Sequence, residues 1–107
     1  MTKRTETQTV FSDRLKQARL RSGFTQMQLG VLAGIEEFSA SARINQYEKA
    51  VHAPNYDTAV RLSMALGVPV SYLFEQDDKL AEIILAAGKL TEKSRQVLLH
   101  FMQSMNE

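Results

Sequence analysis

The chain has no cysteine and no tryptophan among its 107 residues, and only two histidines and two prolines. Without cysteine there are no disulfides, no thiolate zinc sites and no thiol nucleophile, and two histidines offer little for a transition-metal site. Long apolar runs are missing too. None approaches the ~20 residues that cross a bilayer, so no membrane partner is expected. The polar opening Thr2, Lys3, Arg4, Thr5, Glu6 lacks the apolar stretch of a secretory signal, and the expected compartment is the cytoplasm. Nor does one sign of charge dominate. Thirteen Lys and Arg against twelve Asp and Glu leave a formal +1, which selects neither nucleic acid nor any other charged partner. The length suits one domain with a short appendage and excludes a multidomain enzyme.

What the chain does have is an uneven charge distribution and a recurring helical period. Residues 1–66 carry nine basic side chains (Lys3, Arg4, Arg14, Lys16, Arg19, Arg21, Arg43, Lys49, Arg61) against six acidic ones, +3, whereas residues 67–107 carry four against six, −2. Such asymmetry suggests that one half faces a polyanion. Alternation of the strand type is absent over any useful length, and the expected fold class is all-α.

Phe11, Leu15 and Ala18 recur at helical spacing, with Ser12 or a neighbour as cap and Gly23 as stop. Thr25 starts a second helix with Leu29, Leu32 and Ala33 on its apolar face, and Gly34 ends it. A third helix is expected from Ser39 or Ser41 to about Ala50, burying Ile44 and Tyr47, before Pro54 forbids continuation. Asn55 caps a fourth, with Tyr56, Ala59, Leu62 and Leu66, that Gly67 terminates. A short fifth helix opens at Val68 and Pro69 and ends near Phe74. The sixth has Leu80, Ile83, Ile84 and Ala87 on one face and Gly88 as stop. Thr91 caps a seventh, striped by Val97, Leu98, Phe101, Met102 and Met105, with Leu90 placed to staple its entry and His100 within its packing.

Two short helices joined by a glycine-containing turn, the second rich in polar side chains, outline a helix-turn-helix. The order Arg19, Gly23, Phe24, Thr25-Gln26, Leu29, Ala33-Gly34-Ile35, Ile44, Tyr47-Glu48, Pro54, Leu62, Ala65-Leu66-Gly67-Val68, Leu73 resembles the Cro and phage-repressor type, the xenobiotic-response-element (XRE) family of transcriptional regulators. The resemblance spans roughly residues 11–74. It implies a five-helix lambda-repressor-like DNA-binding domain over residues 11–75, with a flexible basic arm (1–10) before it and a two-helix hairpin (76–107) after it.

The resemblance further implies that the helix Ser39–Ala50 enters the DNA major groove while the helix beginning at Thr25 lies across the backbone. Ser41, Ala42, Arg43, Asn45 and Gln46 are the candidate base contacts: a glutamine pairs well with adenine, an alanine with a thymine methyl. Thr25, Gln26, Lys49, His52 and Asn55 are candidate phosphate contacts, as are Lys3 and Arg4 on the arm. Arg19 and Glu48 match positions that form a structural ion pair between the first helix and the recognition helix. For His52, an exposed loop histidine without a role is an equal reading.

The sequence departs from the family twice. Ten steps separate Gly34 from Ile44 where the family has about six, so Glu36, Glu37, Phe38 and Ser39 form an insertion of one helical turn in length. It either enlarges the loop or lengthens helix three; the loop, with Ser39 as cap and Phe38 packed beside it, is the preferred reading. Gly30 stands where a small alanine is usual.

The apolar residues Val97, Leu98, Phe101, Met102 and Met105 exceed what a short hairpin needs, and dimerisation is their expected role. A two-fold dimer predicts a palindromic operator in double-stranded DNA. The expected function is sequence-specific transcriptional regulation, as a repressor and without a cofactor. The alternative is an interaction module such as a toxin-neutralising antitoxin using the C-terminal helices. No Gly-x-Ser-x-Gly elbow or phosphate loop organises the serines, histidines and aspartates, and catalysis is not expected.

Overall fold

The computed structural model describes residues 6–106. It contains α1 (Glu6–Ser22), α2 (Gln26–Leu32), α3 (Glu37–Glu48), α4 (Tyr56–Leu66), a 3-10 helix (Val70–Phe74), α5 (Asp78–Gly88) and α6 (Glu92–Met105), with no strand among the described residues. The all-α class and the division into a five-helix unit and two further helices hold, with the fifth helix a 3-10 turn instead of an α-helix.

α1 starts earlier than its apolar spacing indicates. It begins at Glu6, so residues 6–10, expected in a flexible arm, belong to the helix; Lys3 and Arg4 lie outside the described residues. Ser12 consequently sits inside α1 and not at its start. It is 2% exposed, and its Oγ donates to the Tyr47 carbonyl at 2.6 Å, tying α1 to the end of α3. A serine before an apolar stripe resembles a cap, but here the stripe is the middle of the helix.

Both α2 and α4 carry side-chain caps. Thr25 Oγ1 accepts from the Gln28 N–H while the Gln28 side chain accepts from the Thr25 N–H, a reciprocal box that satisfies two otherwise orphaned donors. Asn55 Oδ1 accepts from the Thr58 N–H. Gly34, at φ +87, lets the chain reverse between α2 and α3 where a side chain would be strained.

The core is one cluster in which Leu15, Leu29, Ile44, Leu62 and Leu73 are fully buried, one from each of α1, α2, α3, α4 and the 3-10 helix. Each helix therefore contributes its apolar stripe to a shared centre. α5 joins this centre through Ala81, with Ile84 and Leu85 packed against it. Gly88 is the last residue of α5 and not the stop after it. A Cβ there would come within 2.7 Å of Pro69 Cγ, so its role is to let α5 approach the 3-10 helix.

α6 stands apart. None of its residues is buried, and the radius of gyration, 15.5 Å, exceeds the ~13 Å of a compact chain of this length. Its link to α5 is polar: Arg95 donates to the carbonyls of Ala87 and Gly88 at 3.1 and 2.9 Å, satisfying the end of α5. His100, expected within helix packing, is exposed.

Candidate nucleic-acid interface

α3 is anchored by one face. Ala40, Ile44 and Tyr47 are buried, the i, i+4, i+7 set that a helix lays against a core. The opposite side is open: Ser41, Ala42, Arg43 and Lys49 are exposed and Asn45 and Gln46 half-buried. The candidate base contacts thus share the outward half of one helix, except that Asn45 is partly engaged at its inner edge.

The inserted residues lengthen α3 and do not enlarge the loop. The helix begins at Glu37 with Glu36 as a cap that makes no side-chain hydrogen bond. Ser39 lies within the helix, its N–H bonded to the Glu36 carbonyl at 2.9 Å, and Phe38 is 95% exposed instead of packed. The physical reason is Gly30. A Cβ on that residue would come within 2.7 Å of Ala40 Cβ and 3.0 Å of Ala40 Cα. Ala40 therefore packs directly on the α2 backbone, and the extra turn continues the helix along it. The glycine that departs from the family and the insertion are two sides of one contact.

Two elements, α1 and α2, hold α3 in place through a charged node. Arg19 on α1 donates to Glu48 through Nε and Nη2, a two-point contact, and its Nη1 donates to the Phe24 carbonyl at 3.0 Å. The Arg19 and Glu48 side chains are 11% and 3% exposed. Gln26, on α2, donates from Nε2 to Asn45 Oδ1 and Glu48 Oε1, both at 3.2 Å. A desolvated two-point ion pair fixes direction as well as distance, because the guanidinium fork matches only one carboxylate orientation.

This node adds to the reading of Gln26. Its amide donates to Asn45 and Glu48, so besides standing at the start of α2 it buttresses α3. Asn45 accepts from Gln26 through its oxygen, on the side facing α2. Thr25 and Asn55 also spend oxygen atoms as caps, whereas Lys49 and His52 are exposed. Arg43, Gln46, Tyr47, His52 and Ala53 line a shallow depression beside the end of α3, which brings His52 next to two candidate base contacts.

Just past the C-cap Lys49 of α3 lies Ala50, at φ +58 the one non-glycine residue in the left-handed region among those described. The Val51 N–H reaches the Gln46 carbonyl at 3.0 Å and the Ala50 N–H the Tyr47 carbonyl at 3.2 Å, a Schellman closure that turns the chain away from the outward face.

Among the described residues, much of the basic surplus of residues 1–66 turns inward. Arg14, 8% exposed, donates to the Glu75 and Gln76 carbonyls and to Asp78. Arg21 donates to Tyr72 Oη, and both guanidiniums lie over the Tyr72 ring at 5.7 and 5.6 Å. Arg61 closes the end of α2 by donating to the Ala33 carbonyl at 3.0 Å. With Arg19 in its ion pair, four arginines of that surplus serve the fold.

A family model described as helix-turn-helix matches residues 15–73. Among solved structures, that of the transcriptional regulator BswR is similar, with a TM-score of 0.81 and 48% identity, covering 87% of this chain and 92% of that one. No match is found among curated proteins.

Proposed function

The chain belongs to the helix-turn-helix family of DNA-binding transcriptional regulators, of the XRE type, and from that premise we propose that it is a dimeric repressor reading a palindromic operator. It is a regulator and not an enzyme. The observation that carries the reading is the two-sided character of α3. Its inner face is fixed by Ala40, Ile44 and Tyr47, and its outer side offers Ser41, Ala42, Arg43, Asn45 and Gln46 at helical spacing. A major groove about 12 Å wide admits one helix, and base edges are distinguished there by hydrogen bonds and methyl contacts.

Phosphate contacts position such a domain, and base contacts specify its sequence. Lys49 and His52 belong to the first class, with Thr25 and Asn55 at the starts of α2 and α4; Gln46 belongs to the second. Replacing Gln46 with Ala relaxes discrimination at one base pair by about 1–3 kcal/mol, whereas Lys49→Ala weakens all sequences alike. Binding titrations against a panel of single-base operator variants read the difference. Uniform weakening by both substitutions would contradict this division.

Dimerisation falls to α6, whose Val97, Phe101, Met102 and Met105 are 65%, 61%, 45% and 67% exposed on the free chain, with Leu98 half-buried on the same stripe. A two-fold axis through this face sets two α3 helices roughly 34 Å apart, one turn of DNA. Repression then follows from occupancy of the operator, in the cytoplasm where the DNA lies. The same apolar face also suits a different protein, as in an antitoxin. Co-purification of a stoichiometric partner in place of a second copy would favour that reading.

A further inference from the structure

We infer that Phe38, contributed by the extra turn of α3, contacts a thymine methyl in the major groove and sets specificity at that base pair. The inference rests on the DNA-binding reading above and adds a residue outside the family's pattern.

Phe38 is the most exposed large apolar side chain among the described residues, at 95%. A phenylalanine left in water is unfavourable, and nothing in the fold requires one there, since the α2–α3 contact is made by Gly30 and Ala40. Its position on the helix is informative. Phe38, Ala42 and the C-cap Lys49 follow at i, i+4 and i+11 on the side opposite Ala40, Ile44 and Tyr47, with Asn45 at i+7 half-buried at the edge of that stripe. This stripe includes two of the base-contact positions and a phosphate contact. Long side chains on a helix lean toward its N-terminus, so the Phe38 ring reaches beyond the first turn of α3. That is the end a recognition helix presents to base edges.

The surroundings favour DNA over protein as the occupant. Phe38 is flanked along the chain by Glu37 and Ser39, and its neighbours on the stripe are a small, a polar and a cationic residue. The apolar groove beside it, lined by Phe24, Met27, Val31 and Leu32 with Glu37 at its edge, does not include it. In the major groove the only apolar group that a base presents is the C5-methyl of thymine, and a phenylalanine is among the side chains that contact it. Ala42, one turn along the stripe, leaves space for a neighbouring methyl.

The test uses the intact protein and the operator it selects. Each thymine is replaced singly by deoxyuridine, which removes the methyl group and nothing else. The wild-type chain is expected to lose roughly three- to fivefold in affinity at one position per half-site, the amount one buried methyl supplies. Phe38→Ala, whose exposed position leaves the fold intact by circular dichroism, is expected to bind the thymine operator correspondingly more weakly. It is also expected to be indifferent to deoxyuridine at that position. Equal affinity of both proteins with the same uracil response overturns the inference. So does a changed sedimentation coefficient for Phe38→Ala with an unchanged base profile, which assigns the ring to protein contact. A wild-type chain that selects no sequence overturns the DNA-binding reading itself, an outcome distinct from a normal operator that ignores Phe38.

Discussion

Glu48 is the side chain on which the orientation of α3 turns. It is 3% exposed and receives Arg19 from α1 and Gln26 from α2. Glu48→Ala leaves a nearly buried guanidinium without its counter-charge, and the expected loss is about 3–5 kcal/mol of folding stability. A thermal melt unchanged from wild type would contradict this role. Ala50 sits at the other end of the balance. Its left-handed φ of +58 carries a strain of about 1–2 kcal/mol that glycine avoids, so Ala50→Gly is expected to raise the melting temperature, by less than that strain because a buried methyl is lost. A lower melting temperature would show that burial outweighs strain there. The Arg19–Glu48 pair was accessible through the resemblance and not through periodicity, since neither residue belongs to an apolar stripe. The partner of Ser12 is hidden for a related reason: a polar side chain's partner depends on which helix packs opposite, and adjacent sequence does not record it.

Helix packing decides two glycines, of which Gly88 reads in the sequence as a stop and Gly30 as a stand-in for a small alanine. Gly23, Gly34 and Gly67 have positive φ and mark turns, as their positions after apolar stripes indicate. Gly30 and Gly88 are helical, and each is where another element comes close, Ala40 in one case and Pro69 in the other. Gly30→Ala gains up to ~1 kcal/mol in helix propensity but drives a methyl group into Ala40 with no flexible side chain to yield. The expected net effect is a loss of about 1–2 kcal/mol, read from the urea midpoint; a midpoint equal to or above wild type would contradict the contact. The same contact explains why the insertion was taken for a loop. A serine preceded by acidic residues is a plausible helix start, and only the close approach of α3 to α2 shows that the helix begins earlier, at Glu37. Element order, the caps at Thr25, Asn55 and Thr91 and the core of each apolar stripe are otherwise legible, because periodicity and capping are local. Leu32, Tyr56, Leu80 and Ile83, expected on apolar faces, are exposed, since the edge of a stripe depends on which helix packs against it.

A net charge of +1 describes a molecule whose arginines are largely spent on its own structure. Arg14, Arg19, Arg21 and Arg61 serve carbonyls, a carboxylate or a tyrosine, which leaves Arg43 and Lys49 as the exposed cations on α3. Affinity is expected to fall with salt, and Lys49→Ala, which removes a phosphate contact, is expected to reduce the slope by about one, whereas Arg61→Ala leaves it unchanged. An equal change for both in salt titrations would contradict the inward assignment. The apolar stripe of α6 accounts for the other end: Phe101→Asp is expected to convert a dimer to a monomer in sedimentation equilibrium and weaken operator binding while the core melts as before. A wild-type monomer at micromolar concentrations, with and without DNA, would contradict dimerisation through α6. The most direct measurement is selection of bound fragments from a random double-stranded DNA pool by the intact chain. Enrichment of one sequence built of two inverted half-sites, centred about one helical turn apart, is the expected result. Recovery of no preferred sequence would contradict the assignment of α3 as a base-reading helix.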